Sequence, residues 1–218
     1  MRRGLMAALL VSTGLLAVAC GGASSTSSFR PGGGNPTPGS PSATTPQAGQ
    51  TADSPVMPPF GKNVRIVMTP WLPASTGEAR AVITAKNFLL AVLYADYTGG
   101  QDHRWEAYAG SSVVRTGMAS TLAAPSVTTE SFTGTIRIWH MSAIAGKNTI
   151  AVTECVDSAL ARNTSLSTGK VLPHSQQNST DQNYYSNTDI LSRNAAGQWT
   201  VISIPATIYY PQALECKP

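Results

Sequence analysis

The feature that most constrains this chain is a change of hydrophobic period near Ser131. Upstream, Val82, Ala85, Leu89, Val92 and Leu93 recur at helical spacing, and Phe88 widens the stripe. Ser75, followed three residues later by Glu78, forms a capping box ahead of that stripe, and Gly99-Gly100 marks where the helix should stop. Residues 101–122 read as one or two shorter helices, with Trp105, Tyr108 and Val113-Val114 as packing residues, ended by Ala124-Pro125. Downstream the period falls to two. Residues 132–141 (FTGTIRIWHM) and 149–157 (TIAVTECVD) read as a hairpin across Ala145-Gly146-Lys147-Asn148. Residues 184–193 and 199–208 read as a third and fourth strand joined by a turn at 194–197, with Pro205 at an edge or bulge. Residues 63–68 alternate weakly, as a lead-in strand. The long polar stretch 162–181 has no period and reads as a loop. Helices first and strands after is an α+β pattern: a long N-terminal helix and short helices packed on a curved antiparallel sheet of about four strands.

The first residues speak to address rather than fold. Arg2 and Arg3 precede an apolar run over residues 5–18, with small Ala17 and Ala19 at its end, which is the layout of a secretory signal. The run is shorter than the ~20 residues a membrane-spanning helix needs. Ala17-Val18-Ala19-Cys20 resembles the lipobox of bacterial lipoproteins, although Ala17 stands where Leu is more usual. The resemblance implies removal of residues 1–19 and acylation of Cys20. The protein would then sit on the extracytoplasmic face of the cell membrane, and its membrane partner would be reached through that lipid. More than one acyl chain is needed for firm anchoring. An ordinary secretory peptide cut ahead of a cysteine is the alternative.

Residues 20–62 are dominated by Gly, Pro, Ser and Thr, too poor in apolar side chains to offset the entropy of ordering, and read as a disordered tether. Residues 63–218 then form the folded domain. The whole chain has 15 basic and 11 acidic side chains, and loss of Arg2 and Arg3 leaves 13 basic. No Lys/Arg cluster follows, so the chain lacks the footprint of nucleic-acid binding.

Of three cysteines, lipidation would use Cys20, leaving Cys155 and Cys216 as an even pair in an oxidising compartment. That favours a disulfide, worth about 4 kcal/mol on chain entropy for a loop of this length, over a metal site or two free thiols. His103, His140 and His174 are scattered without ligand spacing, so no metal site and no cofactor are expected.

Thr153-Glu154-Cys155-Val156-Asp157 at a strand end, Gly197-Gln198-Trp199-Thr200-Val201 opening the last strand, and Cys216 near the C-terminus resemble secreted lipoproteins carrying a nuclear transport factor-like, or cystatin-like, cone-shaped domain. The resemblance covers about residues 75–216. It implies a long helix and two short ones packed into a strongly curved sheet. That superfamily holds isomerases, dehydratases, transport factors and inert modules, so the fold does not give the function.

Its enzymes use carboxylates, Tyr or His lining the cone, and the residue types here that suit such work are Tyr94, Asp96, Tyr97, His103, His140, Asp157 and Asp189. Each also has an ordinary structural reading, and no nucleophile triad or phosphate loop is present in local signature. Trp105, Tyr108, Trp139, His140 and Asp189 are the candidate pocket residues. The expectation is a non-catalytic binding or scaffold module of the cell envelope that binds an envelope protein, an envelope polymer or a small ligand. An isomerase- or dehydratase-like enzyme with a carboxylate in the cone, and a structural subunit of an envelope secretion or transfer complex, are the alternatives.

Overall fold

A computed structural model describes residues 58–69, 72–73, 75–173 and 183–216. The signal peptide expected at 1–19, Cys20, the tether up to residue 57 and His174 lie outside the described residues, as do the side chains of His140 and Met141.

The described chain is α+β. In order it runs β1 (Val64–Met68), α1 (Thr76–Tyr97), a one-turn 3-10 helix (Arg104–Ala107), α2 (Ser112–Leu122), α3 (Pro125–Thr128), β2 (Glu130–Ala145), β3 (Thr149–Ser165), β4 (Tyr184–Arg193), β5 (Trp199–Ser203) and β6 (Ile208–Tyr209). The strands form one sheet in the order β1-β2-β3-β4-β5, with β6 pairing β4 beyond β5. Instead of about four antiparallel strands, six are described, and β1 runs parallel to β2. The parallel pairing is possible because α1 and the short helices supply a crossover between β1 and β2.

α1 starts where the capping box places it: Ser75 Oγ accepts the backbone N–H of Glu78 at 3.3 Å. It stops in a Schellman arrangement. Gly100 N–H donates to the Ala95 carbonyl and Gly99 N–H to that of Asp96, with Gly99 at φ 71°. This closure places Asp96 in the last turn. The face of α1 toward the sheet carries Ala81, Val82, Ala85 and Phe88 into a first apolar cluster with Trp105, Tyr108, Ile150, Val152, Leu191 and Val201. One turn further on, Leu89 and Leu93 enter a second cluster with Phe132, Ile136, Ile138 and Val156.

β2 and β3 are far longer than the periodic runs suggest. β3 continues past Asp157 to Ser165, pairing residues 160–165 with 130–135 of β2, so the first part of the expected loop at 162–181 is strand. Its solvent-facing polar residues hide the pattern, since no residue of that half is fully buried. The ladder shifts register between Thr135 and Arg137 and again between Trp139 and Ser142. Gly134, at φ 98°, lies so close to the Leu160 carbonyl that a Cβ there would sit 2.0 Å from the oxygen. The last strand is shorter than expected: β5 ends at Ser203, ahead of exposed Pro205, which has no N–H for a ladder, and β6 resumes pairing on β4.

The folded unit also begins earlier than composition suggests. Phe60, which the tether reading includes, packs at centroid distances of 5.2 Å from Tyr94 and 5.6 Å from Tyr97, and Val64 N–H donates to Gly61. Phe60, one of two aromatics in that low-complexity stretch, closes one end of the second cluster.

On the opposite face of the sheet Cys155 bonds to Cys216, with Cα atoms 5.1 Å apart, within the 4.4–6.8 Å range natural disulfides occupy. Ala213 and Trp139 pack against the bond, which ties the C-terminal segment to the sheet.

Candidate functional site

The site is built where the second apolar cluster meets the last turn of α1. A cleft of about 170 Å³ opens there. Leu93, Phe132, Ile136 and Ala161 make its apolar floor; Asp96, Glu130, Tyr185, Ser126, Ser131, Ser158 and Asn163 supply its polar groups. Helix closure at Gly99-Gly100 sets Asp96, the start of β2 sets Glu130, and β4 sets Tyr185. Asn163, across the β2–β3 ladder, donates its side-chain amide to Glu130 at 2.8 Å, and the Ser131 hydroxyl donates to the Tyr97 carbonyl at 2.7 Å.

Burial raises the Asp96 carboxyl to about 6, and the neighbouring Glu130 carboxylate pushes in the same direction. Asp96 also stands at the C-terminal, electronegative end of a 22-residue helix, the end at which a carboxylate is least stabilised. Tyr185 is raised well above the usual phenol range by burial, and then by Tyr209, Asp96 and Glu154, so its hydroxyl stays protonated.

Behind Tyr185 lie two more carboxylates. Glu154 on β3 and Asp189 on β4 are 1% and 3% exposed. Glu154 registers with Asn187, and Asp189 with Val152, which makes them diagonal neighbours on the helix-facing side of the sheet. Along β3 Glu154 falls between Val152 of the first cluster and Val156 of the second. Burial raises both carboxyls, Asp189 to about 7, and the Asp189 charge pushes Glu154 further up. Among the described residues the Oε2 atom of Glu154 has no hydrogen-bond partner. At neutral pH the pair holds at least part of a proton, because two like charges in a dry site cannot both ionise cheaply.

The residues singled out in the sequence scatter. Trp105 and Tyr108 are core, packed beneath α1; Trp139 lies on the other side of the sheet against the disulfide. Asp189 joins the buried pair rather than the cleft, and the four whose side chains are described do not line one pocket. Tyr94 carries the Arg104 guanidinium 5.9 Å over its ring, and Tyr97 meets Phe60 and Phe132 edge to face. His103 is exposed and pairs with Glu106 at 2.9 Å. Asp157 lies on the disulfide side of β3, accepts the Ala159 N–H at 2.8 Å and faces Arg137 at 3.7 Å, a structural role. Of the acid/base candidates whose side chains are described, Asp96 alone lines the cleft.

Glu154, Glu130 and Tyr185 escape a sequence reading. A signal for Glu154 was present: Ile150, Val152, Glu154 and Val156 share one phase of period two, so an inward strand face carries one acid among aliphatics. Glu130 and Tyr185 had none, since only pairing across the sheet brings them to the end of α1. Among the described residues no group of three or more His, Cys, Asp or Glu could hold a metal ion, and no helix is long and apolar enough to cross a membrane.

No protein-family model, curated protein or solved structure matches this chain.

Proposed function

We propose that this chain is a lipid-anchored extracytoplasmic binding protein. Cys20 carries the lipid, the Gly/Pro/Ser/Thr stretch is the tether, and the domain, a cone of the nuclear transport factor-like kind, presents the Asp96 cleft to a small ligand. The cleft itself carries the reading: apolar floor, convergent polar wall and a carboxyl with a displaced pKa are what ligand sites combine. The two register shifts in β2 and the positive φ of Gly134 support a bent sheet, because bulges curve the strands that hold them. At about 170 Å³ the site is comparable to cavities of ~150 Å³ that accept one benzene-sized molecule, so a small compound or a single side chain fits and a polymer segment does not. Amide chemical-shift mapping of the mature chain against a library of one-ring compounds tests this. Shifts should concentrate at Asp96, Phe132, Ser158 and Tyr185; a library that leaves all four unmoved sinks the proposal.

One observation favours a second reading, an isomerase-like enzyme. Asp96 has a carboxyl poised near neutral pH, and Tyr185 is a permanently protonated donor in the same cleft, the pairing of base and oxyanion donor that proton abstraction beside a carbonyl needs. Faster exchange of cyclohexanone α-hydrogens in D2O by the wild type than by Asp96→Asn would favour that reading over passive binding.

A further inference from the structure

We propose that the Asp96 cleft selects a small organic ammonium ion, with the cation between Asp96 and Glu130 and its hydrocarbon part on the floor. This rests on the cleft being a ligand site and names what it takes.

The charges in the wall are of one sign. Asp96 and Glu130 line the cleft, and among the described residues no Lys, Arg or His does. Among the described residues the ion pairs are His103–Glu106, Arg104–Asp102 and Arg137–Asp157, so neither cleft carboxylate has a described cation within 4 Å. Glu130 is oriented by the Asn163 amide, whereas no described donor reaches the Asp96 carboxyl. Asp96 is half-buried, and a carboxylate partly removed from water without a donor is disfavoured, so an N–H-bearing cation would stabilise it through charge and hydrogen bonds together. The C-terminal end of α1 adds a negative potential on the same side.

The floor argues for an organic cation over a metal ion. Leu93, Phe132, Ile136 and Ala161 offer carbon to the ligand, while two carboxylates alone are a poor cage for a hard divalent ion, which takes six or more oxygens. Tyr185 adds an aromatic wall, a surface that attracts cations. The size limit set by the cleft restricts the hydrocarbon part to about one ring.

Binding would depend on pH through Asp96. The groups facing it are Glu130 from β2, Tyr185 from β4 with Tyr209 beyond, and Glu154 from β3 behind Tyr185. A cation favours the ionised carboxylate, so affinity should rise as pH passes upward through about 6.

Benzylammonium chloride, benzyl alcohol and calcium chloride, titrated separately into the mature chain and read by amide chemical shifts, test the assignment. Benzylammonium should move Phe132 and Tyr185 at pH 7.5, bind about tenfold more weakly at pH 5, and lose most of its affinity in Asp96→Asn. Glu130→Gln, a milder change at the rim, should weaken it several-fold and serves if Asp96→Asn does not fold. Benzyl alcohol binding as tightly as benzylammonium, or benzylammonium binding unchanged in a folded variant, overturns the ammonium assignment and leaves the cleft standing as a site for neutral ligands. Calcium saturating the same signals at lower concentration overturns it in favour of a metal. If neither ring compound binds, the ammonium inference fails; the broader binding proposal falls only if the one-ring library is silent as well.

Discussion

Glu154 and Asp189 stand diagonally across the β3–β4 ladder, both on the side of the sheet that α1 covers, at the seam between the two apolar clusters. Two carboxylates at such a seam are a standing cost to the fold when ionised. Their immediate neighbour on the other side of β3 is Cys155, so one strand carries the acid on its inner face and the disulfide on its outer face at consecutive positions.

The first prediction concerns pH. The carboxyls of Asp96 and Asp189 are raised in the folded state from 3.8 to about 6 and about 7, and that of Glu154 is raised as well. A raised acid holds its proton more tightly when folded, so its favourable contribution is fully present below about pH 4 and is lost as pH rises through about 6 and then about 7. Thermal melts should therefore give a higher Tm at pH 5 than at pH 8. Glu154→Gln should raise the Tm at pH 8 and flatten the slope, since it removes a buried acid that ionisation would charge. A Tm that climbs steadily from pH 5 to pH 8 contradicts the sign.

The second concerns the Cys155–Cys216 bond, which closes a 61-residue separation. Cys216→Ser should lower stability by about 4 kcal/mol on the chain-entropy argument, less if the reduced unfolded state keeps structure. Because Ala213 and Cys216 supply the buried contacts of the C-terminal turn, carboxypeptidase should trim the variant at a rate the wild type resists. Equal trimming of both proteins would show that β6 alone holds the tail.

Gly134 offers a third. Its φ of 98° and the 2.0 Å approach of a built Cβ to the Leu160 carbonyl leave no room for a side chain, and the obstacle is backbone that cannot swing away. Gly134→Ala should cost about 2–3 kcal/mol in urea unfolding, while Gly169→Ala, also at positive φ but with open space around it, should cost about 1 kcal/mol. Equal losses at the two sites would mean the close approach is not felt.

The fourth tests the anchor. Cys20→Ala should abolish metabolic labelling with a radiolabelled fatty acid and move the protein from the membrane fraction to the medium. Retention of the variant on salt-washed membranes would refute lipid attachment at this residue.

Local chemistry decided much of the fold without help from tertiary structure. The capping box at Ser75, the apolar stripe of α1 and its glycine stop act within a few residues of chain, and all three lie where their spacing puts them. The hairpin at Ala145–Thr149 and the full extent of β4 likewise follow from period and turn residues. The disulfide pairing was legible because only two cysteines remain after the first is set aside. Tertiary structure decided everything that depends on one element meeting another. The parallel edge strand, the polar half of β3 and the docking of Phe60 are fixed by partners remote in sequence, and a half-solvated strand carries no hydrophobic rhythm to announce it. The cleft belongs to the same class. Asp96 at a helix end and Glu130 at a strand start are each unremarkable surface-type residues until the sheet folds them beside Tyr185, where removal of water, a property of the assembled neighbourhood and of no single segment, changes what a carboxyl can do.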